Sequence, residues 1–229
     1  MLPLPATTTG SRGPSTAGFF FEISRGATVA GNVFVRCDRG IFVLNSADAR
    51  VYNNTFVDTP ASFERNERSA TGDHFVWHPS TGPDVDQREG HVFVNNLLVA
   101  SQAYRGPLLR FEQPASLCAQ LPRPQANEIG GNVYVRAPLP GAAATPSPLI
   151  ACLGSLDEFR KLVPAFEANG RQLDRTPRSI FKAPDLGRYE LLQPLPQTPA
   201  GQMLPADVRQ LLGWSEEEAR SPGAYPFRR

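Results

Sequence analysis

The chain is expected to be an all-β solenoid, its short strands stacked in parallel coils, and three observations carry that expectation. First, an Asn followed by an apolar triplet occurs four times: Gly31-Asn32-Val33-Phe34-Val35, Asn53-Asn54-Thr55-Phe56-Val57, Asn95-Asn96-Leu97-Leu98-Val99 and Gly131-Asn132-Val133-Tyr134-Val135. The steps from Asn32 to Asn54, Asn96 and Asn132 are 22, 42 and 36 residues. Second, a strand-like run precedes each copy: residues 19–23, 41–45, 74–78 and 108–112. Third, 19 Gly and 23 Pro among 229 residues call for many turns and leave little room for long helices.

Each element follows from this pattern. The distance from the end of the first strand to the Asn is 9 residues in the first two copies, 18 in the third and 20 in the fourth, so the unit is a coil of about 22 residues carrying insertions. Asn at the corner tolerates the left-handed region and can bond its neighbour's amide, which turns a column of Asn into an internal ladder. β-Branched and aromatic triplets suit a pleated surface. An antiparallel sandwich with hairpins at Asn-Asn is the alternative, but it needs no 22-residue period. Residues 1–17 are expected to be an extended tail, 18–137 the coils, and 138–229 a Pro-rich linker and a capping tail. In that tail Ser155-Leu156-Asp157-Glu158 reads as a capping box opening a helix through Leu162 and Val163. A second helix, Pro205–Leu212, is expected to end at Gly213 and to bury Val208, Leu211, Leu212 and Trp214.

Composition removes several function classes. The 23 basic and 22 acidic residues make no broad field for collecting nucleic acid. No apolar run of about 18 residues predicts a membrane span, and the opening Met1–Pro5 lacks the basic and apolar regions of a signal peptide. Cys37, Cys118 and Cys152 follow no metal-binding spacing and read as small buried hydrophobes, with one disulfide allowed by their number.

Residues 18–137 resemble right-handed parallel β-helix proteins of the pectate-lyase-like superfamily, in particular the alginate-lyase-like and chondroitinase-B-like repeat family. Residues 180–191, followed by Pro199-Ala200-Gly201, are similar to the extended tail closing many of them, and the chain resembles their C-terminal part. The resemblance implies a carbohydrate-active protein acting on acidic polysaccharide or oligosaccharide by β-elimination, from a parent exported to the periplasm or the cell exterior. A non-catalytic carbohydrate-binding or surface module and a glycoside hydrolase are the alternatives, because one scaffold hosts many chemistries. The chain lacks the basic pair and acidic spacing of those enzymes' central coils, so no catalytic residue is carried over by motif.

The site is therefore expected at the insertions, residues 58–73, 79–90 and 113–130, which wall a floor made by the first strands of coils three and four. On that floor, alternation turns His74, His78, Arg110 and Glu112 outward, with Glu22 in the matching row of coil one. Elimination next to a uronate carboxylate needs a base, a positive group and an acid, roles open to Arg68, His74 and Glu64 with Asp84. Arg65 can clamp a substrate carboxylate, and His78, Arg110, Glu112 and Trp77 complete the expected contacts. Ca²⁺ is the one cofactor entertained, through the oxygens of Glu67, Asp84 and Asp86 with Glu64; zinc through His74, His78 and His91 is the weaker metal reading. The strands of the first coil are expected to present an open edge, to be covered by further N-terminal coils or by a partner subunit.

Overall fold

The computed structural model describes residues 17–68, 84–136, 164–195 and 201–227. The chain visits three sheets in turn and repeats the circuit. Ala17–Glu22 (β1), Thr28–Ala30 (β2) and Val33–Val35 (β3) make the first coil, and Arg39–Leu44 (β4), Arg50–Tyr52 (β5) and Thr55–Val57 (β6) the second. Ala61–Glu64 (β7), His91–Val94 (β8) and Leu97–Ala100 (β9) make the third, and Leu109–Glu112 (β10), Ala126–Gly130 (β11) and Val133–Arg136 (β12) the fourth. The first sheet runs β1-β4-β7-β10 and the second β2-β5-β8-β11. The third runs β3-β6-β9-β12 and gains a fifth strand, Arg171–Leu173 (β13). Every pairing in these three sheets is parallel.

The repeated corner explains the Asn pairs. Gly31, Asn53, Asn95 and Gly131 all adopt positive φ, between 49° and 71°, which Gly and Asn tolerate best. The next residue, always Asn, builds the ladder: the backbone N–H groups of Asn32, Asn54 and Asn96 donate to the Oδ1 of the following coil's Asn at 3.0, 2.9 and 2.8 Å. Their Nδ2 groups donate to the same atoms at 3.1, 3.1 and 3.0 Å. The last rung, Asn132, donates to the buried carboxylate of Glu167 at 2.7 Å, which also accepts from the Tyr134 hydroxyl.

The middle residue of each triplet points inward, where Phe34 stacks on Phe56 at 5.1 Å and the column continues through Leu98 and Tyr134. The flanking Val33, Val35, Val57, Leu97, Val99, Val133 and Val135 point outward, yet all are buried. They are covered by an antiparallel hairpin, Phe181–Ala183 (β14) with Arg188–Leu191 (β15), through Phe181, Tyr189 and Leu191. A short helix, Pro177–Ile180 (α1), leads into that hairpin and adds Ile180. On the second sheet, Ala206–Leu212 (α2) and Glu216–Ala219 (α3) cover Tyr52 and Val94 with Val208 and Ala219. Apart from Phe166, which packs against the core inside the coils, the apolar contacts of the described tail go to the outer faces of sheets two and three.

Several expectations are corrected. The third strand of the first sheet is Ala61–Glu64, paired from Ile41↔Ala61 to Leu44↔Glu64, and not residues 74–78, which lie outside the described residues. Coil two passes to coil three through residues 58–60 alone, and the insertions are residues 65–90 and 113–125. Both leave from the C-terminal end of a first-sheet strand and return at the second sheet, so they share one corner. Leu211, expected to be buried, is 66% exposed, because α2 turns only Val208 and part of Leu212 to the sheet. Cys37 is buried as expected, whereas Cys118 is exposed in the 113–125 excursion; the 155–163 helix, the 138–150 linker and Cys152 fall outside the described residues. β1, β2 and β3 each keep one edge unpaired among the described residues, and no described helix is long and apolar enough to cross a membrane.

Candidate functional site

The outer face of the first sheet is the one the tail's apolar clusters leave alone, and its register defines what it presents. Ile41, Ala61 and Leu109, and Val43, Phe63 and Phe111, turn into the core. Alternation then turns out Phe20, Phe42, Ser62 and Arg110 in one row, and Glu22, Leu44, Glu64 and Glu112 in the next. Neighbours in a row belong to strands about 4.8 Å apart. Phe20 stacks on Phe42 at 5.1 Å and is 52% exposed. Arg39 lays its guanidinium 4.1 Å from the centre of the Phe42 ring and reaches Glu64 at 3.2 Å. Arg68 lies 2.5 Å from Glu22, and Arg110 pairs with Glu112 on its own strand. Each glutamate of the row thus has an arginine beside it.

These groups are held without being saturated. Glu22 Oε1, Glu64 Oε1, Arg39 Nε and Ser62 Oγ are buried atoms with no hydrogen-bond partner among the described residues. The Arg68–Glu22 and Arg39–Glu64 pairs satisfy the distance of an ion pair but not the direction of a hydrogen bond, which reconciles their closeness with the unused oxygens. Native proteins leave few such atoms, so four on one sheet face mark a place where hydrogen bonds remain to be made.

At the neighbouring corner the charged groups are internal. Arg65 is 3% exposed, and its Nε donates to the Arg88 carbonyl at 2.9 Å. Its Nη1 donates to Gln113 Oε1 at 2.8 Å and to the carbonyls of Leu121 and Arg123 at 3.2 and 2.8 Å. Arg88 donates to the Asn66 carbonyl at 2.6 Å. Burial lowers the pKa of both guanidinium groups, opposed by Glu89 at Arg65 and by Asp86 at Arg88. Arg65, expected to clamp substrate, instead clips the two excursions together: its Nε and Nη1 are taken by Gln113 and three main-chain carbonyls, and its Nη2, though unpartnered among the described residues, is buried away from any ligand. His91 sits inside the stack, its ring 5.2 Å from Phe63 and its Nδ1 accepting the Ala49 N–H at 3.2 Å. Burial, aided by Arg65, drops its pKa to about 3, so the ring is neutral.

The expected site residues thus divide. Glu64, Arg68, Arg110 and Glu112 come together on the first-sheet face. His74, Trp77 and His78 lie outside the described residues. The oxygens proposed for Ca²⁺ face different partners: Glu67 contacts Ser116, Asp84 pairs with Arg25 at 3.4 Å, and Asp86 with Arg88 at 3.7 Å. Among the described residues no three His, Cys, Asp or Glu side chains are placed to hold a metal. Ca²⁺ needs six to eight converging oxygens, which this set does not supply. Sequence reasoning missed Phe20, Phe42, Arg39 and Ser62. Alternation along Phe19-Phe20-Phe21, with the outer two inward, would have turned Phe20 out; Ser62 was hidden by the misplacement of the third strand.

Comparison with known proteins finds no matching family, no matching curated protein and no matching solved structure.

Proposed function

We propose that this protein is a right-handed parallel β-helix that binds acidic polysaccharide on the outer face of its first sheet. The observation that carries the reading is the cluster of unsaturated Glu22, Glu64, Arg39 and Ser62 beside the Phe20–Phe42 stack. A sugar ring has apolar C–H faces that pack on aromatic rings and an equatorial belt of hydroxyls that both donate and accept. The face offers both kinds of contact, and Arg39, whose Nε has no hydrogen-bond partner among the described residues, supplies a positive partner for a uronate carboxylate. Binding stands ahead of β-elimination because Arg68, the expected base or charge stabiliser, is spent in its contact with Glu22. Glycoside hydrolysis is a second reading with one observation behind it. Glu64 and Glu112 are register partners on neighbouring strands, and the strand spacing of about 4.8 Å is close to the roughly 5 Å between the carboxyls of retaining glycosidases.

The test is affinity electrophoresis through gels containing alginate, pectate or chondroitin, run beside product assays on the same polymers. Retardation in at least one uronate gel, lost in Phe20→Ala and reduced in Arg39→Ala, is the expected result. Equal mobility in every gel for a folded protein sinks the reading. Reducing ends that appear with the parent chain and vanish with Glu64→Gln would move the assignment to hydrolysis, and new absorbance near 235 nm would move it to elimination.

A further inference from the structure

A cavity lies away from the first sheet, where the tail meets the corner of the first coil. It encloses about 300 Å³ and is bordered by Trp214 just past α2, Tyr225 and Phe227 near the C-terminus, Lys182 and Glu190 on the hairpin, and Gly31 at the corner. That volume is at the small end of ligand sites, and the lining has their usual composition of apolar and aromatic walls with a few polar groups. We infer that this cavity binds a single sugar-acid unit, a hexuronate, as a site separate from the first-sheet face. The choice of a sugar acid among hydroxy acids rests on the glycan reading above.

Three features point to that chemistry. The hairpin brings its polar groups to the cavity: Lys182 and Glu190 both line it, beside the buried Leu191 that pairs with Phe181. Lys182 is exposed and has no ion pair or hydrogen bond among the described residues, which leaves an ammonium for a carboxylate. Glu190 Oε2 is buried without a hydrogen-bond partner, its ion pair with Arg188 being a long 3.9 Å, so an acceptor stands ready for ring hydroxyls. Glu190 also acts on Tyr225, whose hydroxyl pKa is raised first by burial and then by that carboxylate, so both groups border one space. Trp214 and Tyr225 are half-buried, with ring area left to stack on a pyranose. Gly31 keeps the corner closed: a Cβ there would come within 2.6 Å of Leu212 Cδ2 and push the wall outward.

The chain has two tryptophans, so Trp77→Phe leaves Trp214 as the only indole and places the reporter in the wall. That variant would be titrated with methyl glucuronide and methyl galacturonide, and with the neutral methyl glucoside and galactoside, following tryptophan emission. A saturable change with a uronide is expected. Lys182→Ala should weaken it about fivefold, the size of one exposed charge pair, and the neutral glycosides should bind weaker by a similar factor. The inference is overturned by no saturable change at tens of millimolar uronide, by equal responses to charged and neutral sugars, or by an unaltered titration in Lys182→Ala. A further arm adds Phe20→Ala and Phe42→Ala to Trp77→Phe. A retained response with lost gel retardation supports two separate sites, whereas loss of the response assigns it to the first-sheet face and overturns the inference. If the parent chain is not retarded in any gel but the emission titration succeeds, the face reading fails and the cavity stands.

Discussion

Asn54 shows what one side chain does in this stack. Its Oδ1 accepts the N–H and the Nδ2 of Asn32, while its Nδ2 donates to the carbonyls of Val29 and Tyr52 and to Asn96. Spacing alone made this residue legible, because the Asn recurs where the chain must turn. What spacing did not separate is the division of labour within Asn53-Asn54: the first takes the positive φ and donates to the Ser221 carbonyl, and the second makes the ladder. His91 was legible only as a histidine. Its partners, the Ala49 N–H and the Phe63 ring, lie 42 and 28 residues earlier in the chain and are brought to it by the coil. The folded state keeps His91 neutral down to about pH 3, whereas the unfolded chain titrates near 6.5. Between those values the unfolded state binds the extra proton, so this contribution is full above pH 6.5 and is lost as pH falls toward 3. One proton corresponds to about 1.4 kcal/mol per pH unit inside that window. Urea midpoints at pH 7.5 and 5.0 should therefore drop less for His91→Asn, which keeps an acceptor for the Ala49 N–H, than for the parent; identical drops would discard the assignment.

Among the elements, the tail matters most to the coils it covers. The triplet flanks read from sequence as ordinary β-formers, and only packing shows why they are apolar on both sides of the third sheet: the hairpin and its approach bury them. Phe181 is 1% exposed there, so Phe181→Ala should cost about 3–5 kcal/mol in denaturant unfolding, as for a large aromatic removed from a packed site. Leu211→Ser, on the exposed face of α2, should stay within about 0.5 kcal/mol of the parent. Equal losses in the two variants would contradict the packing described. The strand that escaped sequence reading is β7. Ala61-Ser62-Phe63-Glu64 carries one large apolar residue, whereas residues 74–78 alternate more strongly, so hydrophobicity favoured the wrong segment. Pairing decided it, because residues 58–60 deliver Ala61 directly beside Ile41 at almost no cost in loop closure.

For the whole molecule, stack and tail share their cores: one buried cluster joins Val57, Val99 and Val135 of the coils to Phe181, Leu191 and Ala224 of the tail. They should therefore unfold together. In a Trp77→Phe chain, urea curves read by far-UV circular dichroism and by Trp214 emission are expected to coincide, and two separated transitions would show that the tail is an independent unit. The sequence by itself determined the parallel coils, the corners and the Asn column, because each depends on contacts between residues at a regular spacing and on the conformational tolerance of Gly and Asn. Tertiary structure alone decided which charges are available. Arg65 and Arg68 stand three residues apart in one run of charges, yet Arg65 is enclosed by carbonyls from 23 to 58 residues away, and Arg68 reaches Glu22 on the first-sheet face. A charged side chain's role is set by the groups that replace its water, and those groups arrive from distant parts of the chain only when the coils stack.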